Sequence, residues 1–132
     1  MSEPNVETIK RAYAALNSGD IPTVLGFCDP EVEFDNSNAV FDASVYHGRK
    51  GVREFFSEQA GMWESQRWEL EEVIPVGNDQ VLVPHRIVSV GRDGVETIAR
   101  NTNVYTLEEG KATRIKSYQT RADALEAVGL TE

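Results

Sequence analysis

The C-terminal half of the chain, Arg67 to Thr120, constrains the fold most, because it reads as strand after strand. Trp68, Leu70, Ile74 and Val76 share one parity, the repeat of an extended segment whose alternate side chains point to one face. Gly77-Asn78-Asp79 leads into Gln80 to Val90, Arg92-Asp93-Gly94 into Val95 to Leu107, and Glu109-Gly110-Lys111 into Ala112 to Thr120. Gly, Asn and Asp at these breaks supply the positive φ that tight hairpins need. No helix-length pattern interrupts the four runs, so the spacing predicts an antiparallel, meandering sheet.

The N-terminal half supplies the cover. Val6, Ile9, Tyr13 and Leu16 recur at helical spacing between Pro4 and Asn17, and Gly19 stops the helix. Asp20 and Pro22 open a shorter helix with Val24, Leu25 and Phe27, ended by Asp29-Pro30. Glu31 to Asp35 alternates as a short strand, and residues 36 to 46 form a loop with an edge strand at Ala43 to Tyr46. A third helix, Lys50 to Gly61, lines up Val52, Phe55, Phe56, Ala60 and Trp63, and Arg121 to Val128 closes the chain as a helix. Helices segregated from an antiparallel sheet define the α+β class. Three helices cover one face only, and neither parity of Val81 to Val90 is polar throughout. A second copy packed on the other face is therefore expected, making a homodimer through the sheet.

The 132 residues suit a single domain spanning 1–132, with enough chain for a real core. A formal net charge of -9, with 13 basic residues forming no long run, disfavours nucleic acid and anionic lipid as partners. No apolar run approaches a membrane span, and the acidic, polar start Met-Ser-Glu-Pro-Asn points to a cytoplasmic address. Cys28 alone forms neither an internal disulfide nor a cysteine metal cluster, and reads as core. His47 and His85 are not spaced as metal ligands, and Gly48-Arg49-Lys50-Gly51 lacks the Lys-Ser/Thr ending of a phosphate loop. No metal and no cofactor are expected.

Asn101, Asn103 and Tyr105 share a parity, and two amides on one strand face mean a pocket lining or a wet surface. Arg100 and Thr102 then face the presumed partner copy. His85, mid-strand, and His47, ahead of Gly48, are either acid–base groups or hydrogen-bonded packing residues.

Four stretches, in this order, carry a resemblance: Tyr13 to Asp20, Phe27 to Asp35, Gly48 to Phe56, and Val104 to Lys111 leading to Tyr118. Together they resemble the nuclear transport factor 2-like superfamily, in particular its SnoaL-like and ketosteroid-isomerase-like members. The resemblance implies a cone: a strongly bent sheet whose concave face, capped by the helices, encloses a pocket for a small hydrophobic molecule. Asp35 falls where such isomerases hold their general base, and Asn103 where they hold a protonated aspartic acid. Tyr13 stands one position after the family tyrosine, about 100° further round a helix, with Ala12 in its place. The resemblance thus implies Asp35 as proton shuttle and Tyr13 and Asn103 as polarising donors, with His85 or Tyr118 expected as an orienting group. Tyr46, His47, Phe56, Trp63, Asn101 and Tyr118 are the expected ligand contacts. Two activities stay open: an isomerase, or related lyase or cyclase, moving a proton on a hydrophobic carbonyl compound; and a non-catalytic module binding a hydrophobic ligand or a protein.

Overall fold

Local chemistry sets most element boundaries in the computed structural model, which describes residues 3–38 and 44–130. Helix α1 (Glu3–Asn17) ends before Gly19, whose φ of 79° is the left-handed conformation that glycine adopts without strain. Asp20 then caps α2 (Ile21–Gly26), accepting from the Thr23 amide at 3.2 Å. Strand β1 (Cys28–Asp35) starts earlier than the alternation predicts, and β2 (Val45–His47) pairs antiparallel with it. Ala43, placed on the edge strand from the sequence, lies outside the described residues. Helix α3 (Gly48–Met62) follows, then β3 (Ser65–Leu70), β4 (Ile74–Val76), β5 (Gln80–Val90), β6 (Glu96–Glu108), β7 (Lys111–Tyr118) and α4 (Arg121–Ala127).

The described strands form one curved, open sheet in the order β2-β1-β7-β6-β5-β3, with β4 also on β5. The meander expected from Arg67 to Thr120 is present in the antiparallel β5–β6 and β6–β7 pairs. The sheet as a whole is mixed, however, because β1 runs parallel to β7, with Phe34 opposite Ile115 and Asp35 opposite Lys116. Nothing in the meander reveals this pairing: α3 and the other strands separate β1 from β7, and so long a crossover permits a parallel return.

The first expected strand is likewise two. Leu70 pairs with His85 and Ile74 with Leu82, so Glu71 to Val73 stand opposite only Val83 and Pro84. The Glu71 amide donates to the Pro84 carbonyl at 2.9 Å across this bulge. One extra residue reverses the parity. Trp68 and Leu70 therefore pack inside, whereas Ile74 and Val76 pack outside.

The main core lies on the inner face, where Val81 and Val83 of β5, Phe34 of β1 and Ile115 of β7 meet Ile9, Tyr13, Leu25, Val52 and Phe55. Burying each such large side chain contributes about 1.5–3 kcal/mol. On the outer face α4 sets Ala124 and Leu125 against Leu82 and Val104. Part of the apolar surface assigned to a second copy is thus covered by the chain's own last helix.

Candidate functional site

The inner face does not close completely. Between α1, α3 and the sheet lies a cavity of about 80 Å³, counted as room for the centres of water molecules, where a single water needs roughly 10–15 Å³. Its wall is nearly all apolar: Ile9, Leu16, Phe34, Val52, Phe55 and Trp68 contribute, with the partly buried Phe56. Besides Thr8, whose hydroxyl donates to the Pro4 carbonyl at 2.9 Å, four polar side chains enter the wall together, namely Tyr13 from α1, His85 from β5, and Asn103 and Tyr105 from β6.

These four are joined by hydrogen bonds. Asn103 Nδ2 donates to the Tyr105 hydroxyl at 3.1 Å. The Tyr105 and Tyr13 hydroxyls lie 2.6 Å apart, and Tyr13 lies 2.6 Å from His85 Nδ1. Only one direction uses every hydroxyl proton: Tyr105 donates to Tyr13, and Tyr13 donates to Nδ1. His85 then carries its own proton on Nε2. Neither Nε2 nor Asn103 Oδ1 has a hydrogen-bond partner, although both are buried.

Burial makes the cluster electrically neutral. Desolvation pulls the His85 pKa down to about 4, and the neighbouring Asn101 amide opposes this only in part. Desolvation raises Tyr105 to about 12 and holds Tyr13 well above its ordinary value. At neutral pH the cavity therefore presents an uncharged imidazole and two protonated phenols. No carboxylate lines it among the described residues.

Asp35 stands apart from this cluster. Phe34 faces the cavity, so the next residue of the strand faces outward. Its Oδ1 accepts from the Ser37 amide at 3.0 Å and the Ser37 hydroxyl at 2.5 Å, and Lys116 Nζ lies 3.6 Å from Oδ2. The Ser37 hydroxyl, more than any other neighbour, lowers its pKa, and desolvation opposes this only partly. The group is an ionised carboxylate, 8% exposed, held by Ser37 and Lys116 on the side of the strand away from the cavity, rather than a neutral acid sunk among apolar side chains.

The remaining expected residues divide. Phe56 lines the cavity; Asn101 lies beside it, donating to Ser117 Oγ at 3.0 Å. Tyr46 packs behind the wall, stacked on Phe34 at 5.8 Å, with its hydroxyl on Glu58 at 2.9 Å. Trp63 lines an open groove between α2, α3 and β3. His47 is exposed at the start of α3, and Tyr118 lies on the outer face with Lys116 Nζ 5.6 Å from its ring centroid. Cys28 is buried, and burial raises its thiol to about 11, so it is an inert wall residue. No group of three or more potential metal ligands occurs among the described residues. Tyr105 is the member that the sequence did not single out as functional, although its shared parity with Asn101 and Asn103 was the available signal.

No curated protein matches this chain. Solved structures match its fold. TerC co-crystallised with polyporic acid is 24% identical with a TM-score of 0.78, covering 96% of this chain and 98% of that one. A Mycobacterium tuberculosis protein in complex with estradiol-17β-hemisuccinate is 17% identical with a TM-score of 0.75, covering 89% and 95%. The Δ5-3-ketosteroid isomerase of a Mycobacterium species is 16% identical with a TM-score of 0.73, covering 89% and 93%. The SnoaL-like domain model matches residues 9–115, which takes in every wall residue of the cavity except Thr8. The chain therefore belongs to the SnoaL-like domain family, within the nuclear transport factor 2-like superfamily.

Proposed function

We propose that this protein binds a small molecule whose hydrophobic, carbonyl-bearing body lies uncharged inside the cone. One observation carries the reading: an apolar cavity whose polar wall, apart from Thr8, is among the described residues a neutral, hydrogen-bonded cluster of Tyr13, His85, Asn103 and Tyr105. A charged ligand group would lose its hydration there and meet no counter-charge. A carbonyl oxygen can accept from His85 Nε2, the donor left over. The complexes of two proteins of this fold with polyporic acid and with estradiol-17β-hemisuccinate, hydrophobic carbonyl compounds that each also carry an acidic group, support such a ligand class.

Proton transfer is the second reading, and the linked hydroxyls favour it. His85 Nε2 gives its proton to the carbonyl oxygen while the Tyr105 oxygen takes the proton from the adjacent carbon. Each hydroxyl proton moves one place along the chain, from Tyr105 to Tyr13 and from Tyr13 to Nδ1. The ligand becomes its enol and no residue becomes charged. Asp35 has no part in either reading. The test uses 1-tetralone. Binding is followed by NMR titration, and proton transfer by deuterium entry at its α-carbon. Saturable perturbation of Trp68, His85 and Tyr105 signals supports binding; no perturbation at millimolar ketone refutes it. Exchange that is faster with the protein and lost in Tyr13→Phe supports the enzyme, whereas binding without exchange leaves a binding module.

The homodimer is carried forward as part of this proposal. Residues Glu96 to Asn101 of β6 have β5 on one side and no strand on the other among the described residues, and Ile98 there is 50% exposed. Such an edge invites a second copy. Sedimentation equilibrium giving twice the chain mass supports this, and a monomer at micromolar concentration refutes it.

A further inference from the structure

The groove holding Trp63 has its own chemistry. Its volume is about 840 Å³ by the same measure as the cavity, and Leu16, Phe56 and Trp68 line both spaces. These three side chains present one side to the apolar interior and another to the groove. A molecule entering past them leaves its outer end among the groove residues.

Those residues include Arg49 and Arg53, four apart and therefore on one face of α3. Their lack of acidic partners is unusual in this chain. Arg67, Arg86, Arg92, Arg100, Arg114 and Arg121 are all ion-paired. Of the other three, Arg11 lies 6.0 Å from the Phe27 ring centroid, and Arg49 and Arg53 lie on the groove. Arg49 donates only to the Cys28 carbonyl, at 2.9 Å, and Arg53 makes no hydrogen bond or ion pair among the described residues. The groove's acid, Glu64, is already engaged by Arg92 at 3.6 Å. A chain of formal charge -9 thus keeps two cations without acidic partners among the described residues, in a groove that shares wall residues with an apolar cavity.

We infer that the ligand is amphipathic and acidic, with an apolar body inside the cone and a carboxylate, or similar anion, held in the groove by Arg49 and Arg53. Guanidinium groups suit this task, since their planar forks match a carboxylate and stay charged at any working pH. The net charge makes the sign of the effect informative. Beyond a Debye length of about 8 Å the protein repels an anion weakly, so tighter binding of an acid than of its alcohol requires a local cation.

This inference rests on the proposed cavity binding, and one calorimetric series separates the two. The probes are 3-phenyl-1-propanol and 4-phenylbutyrate, each a phenyl ring on three methylenes, equal in apolar body and different in charge. In low salt the butyrate is expected to bind roughly threefold to tenfold more tightly, the range of one or two exposed ion pairs. Arg53→Ala should remove most of that preference and leave the alcohol's Kd unchanged. Sodium chloride at half-molar concentration should do the same to the unaltered protein. Arg53 is exposed and makes no contact that the fold needs, and the salt series requires no substitution at all. Equal binding of acid and alcohol, or a preference that survives Arg53→Ala, overturns the inference while leaving the cavity reading intact. Failure of both probes to bind, while 1-tetralone still perturbs the cavity signals, overturns this inference alone; failure of all three removes the cavity reading as well.

Discussion

Replacing Tyr13 by Phe removes one oxygen from the middle of the wall cluster and leaves the ring in place. That oxygen lies 2.6 Å from both His85 Nδ1 and the Tyr105 hydroxyl, and Tyr13 is 5% exposed, so water does not take its place. Nδ1 loses its donor and the Tyr105 proton loses its acceptor. A buried polar group left unpaired costs about 1–3 kcal/mol, so two such groups predict a loss of about 2–6 kcal/mol. For a chain of this size that lowers Tm by about 10 °C or more. Urea unfolding by circular dichroism measures the change. A double-mutant cycle with Tyr105→Phe adds a sharper requirement. Once either hydroxyl is gone the other has less to lose, so the two costs must be sub-additive by at least about 0.5 kcal/mol. A loss below about 0.5 kcal/mol for Tyr13→Phe, or strict additivity, would show that the cluster does not act as the linked unit described.

Other consequences follow from particular groups. His85 titrates near 4 when folded and near 6.5 when free, so protons favour the unfolded chain between these values. Stability is complete above about pH 6.5 and falls by about 3 kcal/mol towards pH 4; urea midpoints across that range should decline in the native protein and stay flatter in His85→Gln. Asp35, whose folded pKa is lowered, contributes stability above the ordinary carboxylate value that is lost only in more acid solution. Asp35→Asn should change the Kd for 1-tetralone less than twofold, measured by NMR titration, since its carboxylate lies off the cavity. Glu109 has a φ of 51° beside Gly110 at 77°, a hairpin turn that favours Asn-Gly. Glu109→Asn should raise stability by about 0.5–1 kcal/mol in the same urea assay.

The parts of this fold that were legible in the sequence are those set by short-range chemistry. Parity along Asn101 to Tyr105 correctly places the two amides and Tyr105 on one face, because a side-chain period of two survives wherever the pairing is regular. It fails between Leu70 and Ile74, where one bulged residue turns the second half of the run outward. The β1–β7 pairing was hidden for a different reason: it joins distant segments, and no local pattern encodes whether they run parallel. Asp35 illustrates the limit for sites. Its neighbours in sequence suggested a carboxylate at the end of a strand, but only the Phe34–Ile115 and Asp35–Lys116 register decides which residue faces inward. The Tyr13–His85 contact, 72 residues apart in sequence, requires α1 to cross β5 at one position, which no spacing rule supplies.

The most direct test of the central claim is a search for intermolecular nuclear Overhauser effects between 1-tetralone and the protein. The account predicts contacts from the ketone's aromatic protons to the rings of Phe55, Trp68 and Tyr105, all within the cavity wall. Contacts confined to exposed residues such as Met62 or Ile98, with none to these three rings, would contradict it.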